Sequence, residues 1–200
     1  MMRIVLSDFM SLDGVVQSPG GHDEDTDGGF AQGGWSMPYF EPETMGPAVT
    51  ETMDGTDALL FGRRTWQTMA AAWPSRAGDP FADRMNEMPK YVASRTLSPD
   101  DLTWPGSTLL PAEDAIGAIR ELRTQDGSQN GKAIQVMGSA SLATQLIEHD
   151  LVDEYRLMIE PILLGGGKRV FPCDGRARAL ELVSATTTGT GVLICTYRRR

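Results

Sequence analysis

The 200-residue sequence has few of the residues that build disulfide scaffolds and zinc sites. It contains only two cysteines, Cys173 and Cys195, and two histidines, His22 and His149. The cysteines are far apart and form no Cys-x-x-Cys motif, so neither a disulfide framework nor a zinc site is predicted. Because reduced thiols are typical of the cytoplasm, we expect a cytoplasmic protein without a metal.

Basic residues and long apolar runs are also scarce. The chain has 18 Lys and Arg against 27 Asp and Glu, a net charge of −9. Nucleic acids and anionic membranes bind basic surfaces, so neither is expected as a partner. No segment approaches the roughly 20 apolar residues that span a bilayer. A hydrophobic content of 40% and the lack of a linker predict one domain over residues 1–200.

Strand-like and helix-like segments alternate over most of the chain. Predicted strands are Arg3–Phe9, Ala58–Phe61, Tyr91–Ala93, Ser107–Leu110 and Ala133–Met137, and predicted helices are Arg64–Ala72, one from Pro111 and one after Ser139. A polar loop is predicted at Gln125–Gly131. The last strands, Glu154–Glu160, Leu180–Ala185 and Val192–Tyr197, end in a hairpin at Thr188–Gly191. The pattern predicts an α/β fold with a mostly parallel central sheet, antiparallel C-terminal edge strands and helices on both faces.

The junction after the second predicted strand has the chemistry of an anion site. Gly62 permits close backbone approach, Arg63 and Arg64 add positive charge, and Thr65 adds a hydroxyl at the start of a helix. The first N–H groups of a helix lack internal partners and attract anions, so this junction could hold the phosphates of a nucleotide. A simple turn with two solvated arginines is the alternative.

Two further strand ends carry similar residues. Ser94 and Arg95 follow the third strand, and an arginine there suits the 2′-phosphate of NADP. The fifth strand runs into small residues that would allow a pyrophosphate to approach closely, namely Met137, Gly138, Ser139 and Ala140. Because parallel strands end at a shared edge, we expect the three junctions to form one binding surface.

An acidic, glycine-rich segment follows the first strand. We predict that residues 17–40 form a lid over the site, with a disordered insertion as the alternative. Within it, Asp23–Gly28 resembles the first half of a calcium loop. The twelfth position of such a loop requires a bidentate glutamate, but here it is Gly34.

Several motifs, in order along the chain, resemble the dihydrofolate reductase fold, and in particular the reductase half of riboflavin-biosynthesis deaminase-reductases. They are Met10–Val16, Gly62–Trp66, Ser94–Arg95, Val136–Ser139, Val152–Tyr155 and Pro161–Phe171. The resemblance implies a three-layer dihydrofolate reductase-like domain, an NADPH-dependent reductase without a metal, and a homodimer. It assigns cofactor contacts to the three junctions and places Val16 and Gln17 beside the nicotinamide.

The resemblance also suggests the substrate and the residues that meet it. First choice is a riboflavin precursor of the 5-amino-6-(5-phosphoribosylamino)uracil type. The alternatives are a pterin, dihydrofolate or another carbonyl compound, or a non-catalytic ligand-binding module. Asp13 is the candidate catalytic residue, which would fix a polar edge of the substrate together with Gly14, or it only caps a turn with Gly14. Trp35 and Phe40 could stack on the substrate or simply pack, and Lys168 could meet a substrate phosphate or be solvated.

One residue expected from dihydrofolate reductases has no match. Those enzymes carry an acid on the helix before the Gly-Arg-x-Thr junction, which assists protonation of the substrate. The corresponding position in this sequence is Gly46, and the neighbouring acids Glu41, Glu43 and Glu51 do not match by position. The proton donor is therefore not identified from the sequence.

Overall fold

A computed structural model describes residues 1–124 and 133–200. The strands within these ranges are β1 (Arg3–Ser11), β2 (Thr56–Gly62), β3 (Lys90–Ala93), β4 (Ser107–Leu109), β5 (Ala133–Met137), β6 (Glu154–Glu160), β7 (Leu180–Thr187) and β8 (Leu193–Arg199). The helices are α1 (Pro42–Asp54), α2 (Arg63–Ala72), α3 (Pro80–Glu87), α4 (Ala115–Thr124) and α5 (Ala140–Glu148). The predicted loop at Gln125–Gly131 lies outside the described residues.

All of these strands belong to one sheet in the order β4-β3-β2-β5-β1-β6-β8-β7. Neighbours from β4 to β6 are parallel, whereas β8 runs antiparallel to β6, and β7 runs antiparallel to β8. This arrangement confirms the predicted parallel sheet with antiparallel C-terminal edge strands. Because β1, β2, β3 and β5 are parallel, the loops that follow them leave from the same edge of the sheet.

Alternating side chains of β2 show that both faces of the sheet are covered. Ala58 and Leu60 are buried in a cluster with residues of α4 and α5. Leu59 and Phe61 point to the opposite face and pack with residues of α1, α2 and α3. The period-2 pattern of a strand therefore supplies two apolar layers, and the prediction of helices on both faces is confirmed.

Two helices were missing from the sequence prediction, and a third begins later than predicted. The helix α1 contains Gly46 and Pro47, which both disfavour helix interiors and conceal its pattern. The eight-residue helix α3 is started by Asp79, whose side chain accepts hydrogen bonds from two backbone N–H groups. The helix expected from Pro111 begins at Ala115. None of the described helices is long and apolar enough to span a membrane.

Candidate active site

A cavity of about 900 Å³ lies along the edge of the sheet where β1, β2, β3 and β5 end. All three predicted junctions line it, together with the first part of the acidic segment. Predicted site residues in its wall are Val16, Gln17, Gly62, Arg63, Arg64, Thr65, Ser94, Arg95, Met137, Gly138, Ser139, Ala140 and Lys168. The structure thus brings together residues that are far apart in the sequence.

The junctions after β2 and β5 touch each other directly. The backbone N–H of Gly62 donates a 2.7 Å hydrogen bond to Ser139 Oγ. A Cβ atom at position 62 would lie 3.2 Å from both Cβ and Oγ of Ser139, so glycine allows this close approach. Gly138 and Ser139 both have positive φ, 58° and 63°, which turns the chain sharply into α5.

The first turn of α2 has no side-chain cap. Its N-terminal flanking residue is Gly62, which has no side chain to accept hydrogen bonds from the free N–H groups. The guanidinium of Arg63 donates a 2.8 Å hydrogen bond to Thr96 Oγ1, which links α2 to the end of β3. An anion at this corner would therefore meet the positive end of a helix dipole that no side chain caps.

The junction after β3 combines a fixed turn with a free cation. Ser94 Oγ accepts hydrogen bonds from the backbone N–H groups of Thr96 and Leu97, at 3.1 and 3.0 Å. Arg95 is exposed, lines the cavity and makes no ion pair within the described ranges. Its guanidinium is thus available to a ligand.

Part of the acidic segment lines the cavity. Asp25 and Asp27 line the cavity and make ion pairs of 2.6–3.0 Å with Arg64 and Lys168. The side-chain amide of Gln17 donates to the backbone carbonyls of Asp25 and Asp27, at 2.9 and 3.0 Å. Although burial alone would raise it, the pKa of Asp25 is lowered, because Lys168 and Arg64 favour the charged form.

Asp8 is a cavity residue that the sequence analysis missed. It lies in the middle of β1, is only 6% exposed and lines the cavity. Burial raises the pKa of Asp8 to about 8, opposed by a smaller lowering from the backbone N–H of Gly138. Its Oδ2 atom has no hydrogen-bond partner among the described residues. A carboxyl group that is protonated at neutral pH and unpaired can give a proton to a bound molecule.

Asp13 and Gly14 lie outside the wall of this cavity. Asp13 accepts hydrogen bonds from Ser11 Oγ (2.7 Å) and from the backbone N–H groups of Leu164 (3.1 Å) and Gly165 (2.9 Å). These contacts, the hydrogen bond from Ser11 first, lower the pKa of Asp13. Gly14 has a φ of 85° in the same turn. These contacts, with a 3.3 Å ion pair to Arg169, are those of a residue that stabilises a turn, and the substrate role of Asp13 stays a prediction.

Trp35 and Phe40 also lie outside the cavity wall. Trp35 is buried with Val15 and Leu164, and its Nε1 donates a 2.7 Å hydrogen bond to the backbone carbonyl of Gln17. Phe40 is 40% exposed. Trp35 therefore packs against residues on both sides of the segment, and its stacking on a substrate stays a prediction, as does that of Phe40.

No carboxylate of α1 lines the cavity in the described part of the chain. Gly46 lies in α1, whose contribution to the cavity is Val49. Glu43 and Glu51 are exposed, and the carboxylate of Glu41 accepts a 2.8 Å hydrogen bond from the backbone of Gly189. Within the described residues, no group of three or more His, Cys, Asp or Glu side chains is placed to hold a metal, and Asp25 and Asp27 face cations instead.

Comparisons with known proteins agree on one relationship. The family model described as the RibD C-terminal domain matches residues 3–194. The chain is 28% identical over 200 residues to the Bacillus subtilis (strain 168) protein YyaP, covering 98% of this chain and 94% of that protein. YyaP carries the description uncharacterized and therefore brings no activity.

Two solved structures share the fold. A protein from Shewanella sp. PV-4 that is assigned to riboflavin biosynthesis superposes with a TM-score of 0.69 at 20% identity, over 100% of this chain and 99% of that chain. A pyrimidine reductase-like protein from Corynebacterium diphtheriae gives a TM-score of 0.61 at 14% identity, over 100% and 92%. At these identities the likeness establishes the fold, which confirms the fold class predicted from the sequence.

Proposed function

This chain belongs to the RibD C-terminal domain family of reductase-like proteins, and from that premise we propose that it is an NADPH-dependent reductase of a small heterocyclic substrate. The observation that carries the proposal is the meeting of three glycine- or serine-bearing strand ends in one cavity. Gly62, Gly138 and the uncapped start of α2 form a cradle that a larger side chain would fill.

The residues of the cavity fit a dinucleotide. The N–H groups at the start of α2, together with Arg64 and Thr65, suit a pyrophosphate, and the exposed Arg95 suits the extra 2′-phosphate of NADPH. Val16 and Gln17 line the cavity beside β1, where the nicotinamide is expected. When bound, NADPH supplies a hydride, that is, a hydrogen nucleus together with two electrons.

The chain itself must then orient the substrate and supply a proton. Hydride addition to a C=O or C=N carbon moves the bonding electron pair to the oxygen or nitrogen, which takes up a proton. Asp8 is our candidate for the group that holds this proton, because it is buried in the cavity wall and its Oδ2 is unpaired among the described residues. Burial raises its pKa to about 8, so the acid form persists at neutral pH.

The proposed substrate is a riboflavin precursor of the 5-amino-6-(5-phosphoribosylamino)uracil type. The family supports this class, and Lys168 in the cavity wall offers charge to a phosphate. The decisive experiment mixes the purified protein with NADPH and follows the absorbance of the reduced nicotinamide with phosphoribosylated pyrimidinones, pterins and simple carbonyl compounds. Oxidation of NADPH with none of these substrates would contradict the proposal.

A non-catalytic ligand-binding module is the second candidate. It is favoured by one observation: no carboxylate of α1 lines the described cavity, although dihydrofolate reductases carry one on this helix. Calorimetry with NADPH separates the two candidates when combined with the turnover assay. Tight coenzyme binding without turnover on the whole panel would favour the binding module.

We also propose that the protein forms a homodimer through β7. This edge strand is exposed along nearly its whole length, and Leu182 and Val183 are 54% and 45% exposed. An exposed edge strand with apolar side chains is a ready surface for a second copy. Light scattering should give twice the mass of the monomer, and Leu182→Asp should shift it toward the monomer; a monomeric wild-type protein would contradict the proposal.

A further inference from the structure

Two cations that line the cavity, Arg64 and Lys168, are paired with Asp25 and Asp27 of the acidic segment, which is called the covering segment below. Arg64 contacts Asp25 at 2.7 Å and Asp27 at 3.0 Å. Lys168 contacts the same two residues at 2.6 and 2.9 Å. Each carboxylate therefore bridges both cations, and the four side chains form a closed square of charge.

The cations and the carboxylates come from different kinds of structure. Arg64 lies in the first turn of α2, and Lys168 directly follows the triple glycine Gly165–Gly167. The backbone N–H of Lys168 donates a 2.9 Å hydrogen bond to Gln17 Oε1. Asp25 and Asp27 lie in a segment whose regular structure is limited to one short turn at Asp27–Gly29. Gln17 and Ser18 hold the backbone at Asp25 and Asp27 by hydrogen bonds, whereas the two carboxylates themselves are held mainly by the two cations, so these side chains are the partners that a competing anion would release.

Two carboxylates that bridge an arginine and a lysine imitate a phosphate. A phosphate group also offers several oxygens, carries negative charge and binds guanidinium and ammonium groups by charged hydrogen bonds. The square is only partly buried: the Arg64 side chain is 43% exposed and that of Asp27 is 47% exposed. The exposed Arg64–Asp27 pair contributes little to stability, whereas the Lys168 and Asp25 side chains are only 28% and 16% exposed. An incoming anion that offers the same charged hydrogen bonds can replace both carboxylates.

We propose that Arg64 and Lys168 form a subsite for a phosphate group, and that Asp25 and Asp27 occupy it until a phosphate-bearing ligand displaces them and opens the covering segment. The inference rests on the proposed function, since it assumes that the cavity receives a phosphorylated ligand. The covering segment then competes with the ligand for the same two cations.

This competition predicts the direction of a charge-removal experiment. Asp25→Asn/Asp27→Asn should bind inorganic pyrophosphate and NADPH about tenfold more tightly than wild type, because the two cations lose their internal partners. The measurement is isothermal titration calorimetry at constant ionic strength. Asparagine keeps an oxygen for the hydrogen bond that Asp25 Oδ1 accepts from the backbone of Asp27, so the local turn is retained.

Asp23→Asn is the matched control for loss of loop charge. Asp23 lies in the same segment, is exposed and makes no ion pair among the described residues. It should change the affinity less than twofold. Lys168→Gln in the double-variant background should remove the gain, since it deletes half of the subsite.

Hydrogen–deuterium exchange gives a readout independent of affinity. Pyrophosphate should accelerate exchange of the backbone amides of residues 20–29 in the wild-type protein. In the double variant these amides should exchange faster even without a ligand. Unchanged exchange on addition of saturating pyrophosphate would overturn the opening step.

Comparison of ligands identifies the source of the phosphate. A gain for NADPH and pyrophosphate but not for ribose 5-phosphate assigns the subsite to the coenzyme, and the reverse assigns it to the substrate. A gain for none of the three, or weaker binding by the double variant, overturns the inference. If pyrophosphate binding improves while no variant binds NADPH, the subsite stands and the proposed reductase function fails.

Discussion

Asp8 shows how a single residue can carry chemistry that sequence patterns do not reveal. It is the one acid of β1, which also contains Arg3, Ser7 and Ser11, and neither a spacing motif nor an acidic neighbour in the strand marks it. Its significance depends on the cavity, on its burial and on the unpaired Oδ2, and all three are properties of the folded chain. The missing acid on α1 could be noticed from the sequence, but its candidate replacement could not.

The acid form of Asp8 should be required for turnover. We expect kcat/KM to be flat below about pH 8 and to fall tenfold per unit above it, because deprotonation removes the donor. Asp8→Asn should lower kcat by a factor of about 10²–10⁴ and abolish this fall with pH. The measurement is a pH profile of turnover from pH 6 to 10.

The Kd for NADPH provides the control for this variant. It should stay within about threefold of wild type in Asp8→Asn, since the amide oxygen can keep the hydrogen bond from Gly138. An Asp8→Asn protein with unchanged kcat and unchanged pH dependence would remove Asp8 as the proton donor.

Arg95 should distinguish the two nicotinamide coenzymes. Its exposed guanidinium in the cavity wall has no ion-pair partner within residues 1–124 and 133–200, and only NADPH carries a 2′-phosphate. Arg95→Ala should weaken NADPH by tenfold or more, about 1.4 kcal/mol, while NADH changes less than twofold. Both affinities can be measured by the fluorescence of the reduced nicotinamide.

Arg120→Ala provides a control for loss of positive charge away from the cavity. Arg120 lies in α4 and approaches the ring of His149 at 3.5 Å. Its removal should leave both affinities unchanged. Equal losses for NADPH and NADH in Arg95→Ala would show that Arg95 does not contact the 2′-phosphate.

At the scale of elements, the sequence predicts well where the strands β2, β3 and β5 end. Local composition is sufficient there, because Gly62, Ser94 and Gly138 stand where apolar runs end. The hydrogen bond from Gly62 to Ser139 was not predictable, since 77 residues separate the partners. The helix α1 was missed because Gly46 and Pro47 contradict local propensity while Met45 and Met53 are buried by tertiary packing.

Asp13 connects the turn that follows β1 with the segment that begins the triple glycine Gly165–Gly167. Three hydrogen bonds of 2.7–3.1 Å tie its carboxylate to Ser11, Leu164 and Gly165. Asp13→Ala should lower the free energy of unfolding by about 2 kcal/mol, because net hydrogen-bond contributions are about 1 kcal/mol each and part is recovered by water. Urea denaturation followed by circular dichroism measures this loss.

Asp13→Asn separates the structural role from a catalytic one. The amide oxygen retains part of the accepting capacity, so this variant should recover at least half of the lost stability and keep kcat near wild type. A thermally normal Asp13→Ala protein with a hundredfold lower kcat would instead support the catalytic role suggested by the sequence.

At the scale of the whole molecule, acidic residues of two kinds set the pH dependence of stability. In Asp25 and Glu154, arginine or lysine partners lower the pKa despite burial, and in the more exposed Asp150 the hydrogen bond from Arg176 lowers it, so these groups lose their stabilising effect only in acid. Burial raises the pKa values of Asp8 and Glu160, so these two groups lower the stability of the folded protein as the pH rises. Overall composition gives the net charge but not this division, which depends on the partners that each carboxylate meets after folding.

Glu160 should cause a measurable loss of stability as the pH rises. Burial raises its pKa to about 7, opposed by the 2.5 Å hydrogen bond from Ser36 Oγ, and its Oε2 is unpaired among the described residues. The folded protein therefore holds a proton that the unfolded chain releases near pH 4.5, so stability should fall as pH rises from about 4.5 to 7. The loss of unfolding free energy should reach about 2–3 kcal/mol at pH 8 in urea denaturation, and Glu160→Gln should make stability less dependent on pH.

Asp8 contributes a loss of the same sign up to about pH 8, so Asp8→Asn is the matched comparison, and the double variant should depend on pH still less. If the unfolding free energy of Glu160→Gln changed with pH as in wild type between pH 5 and 7, ionisation of Glu160 would not destabilise the folded protein.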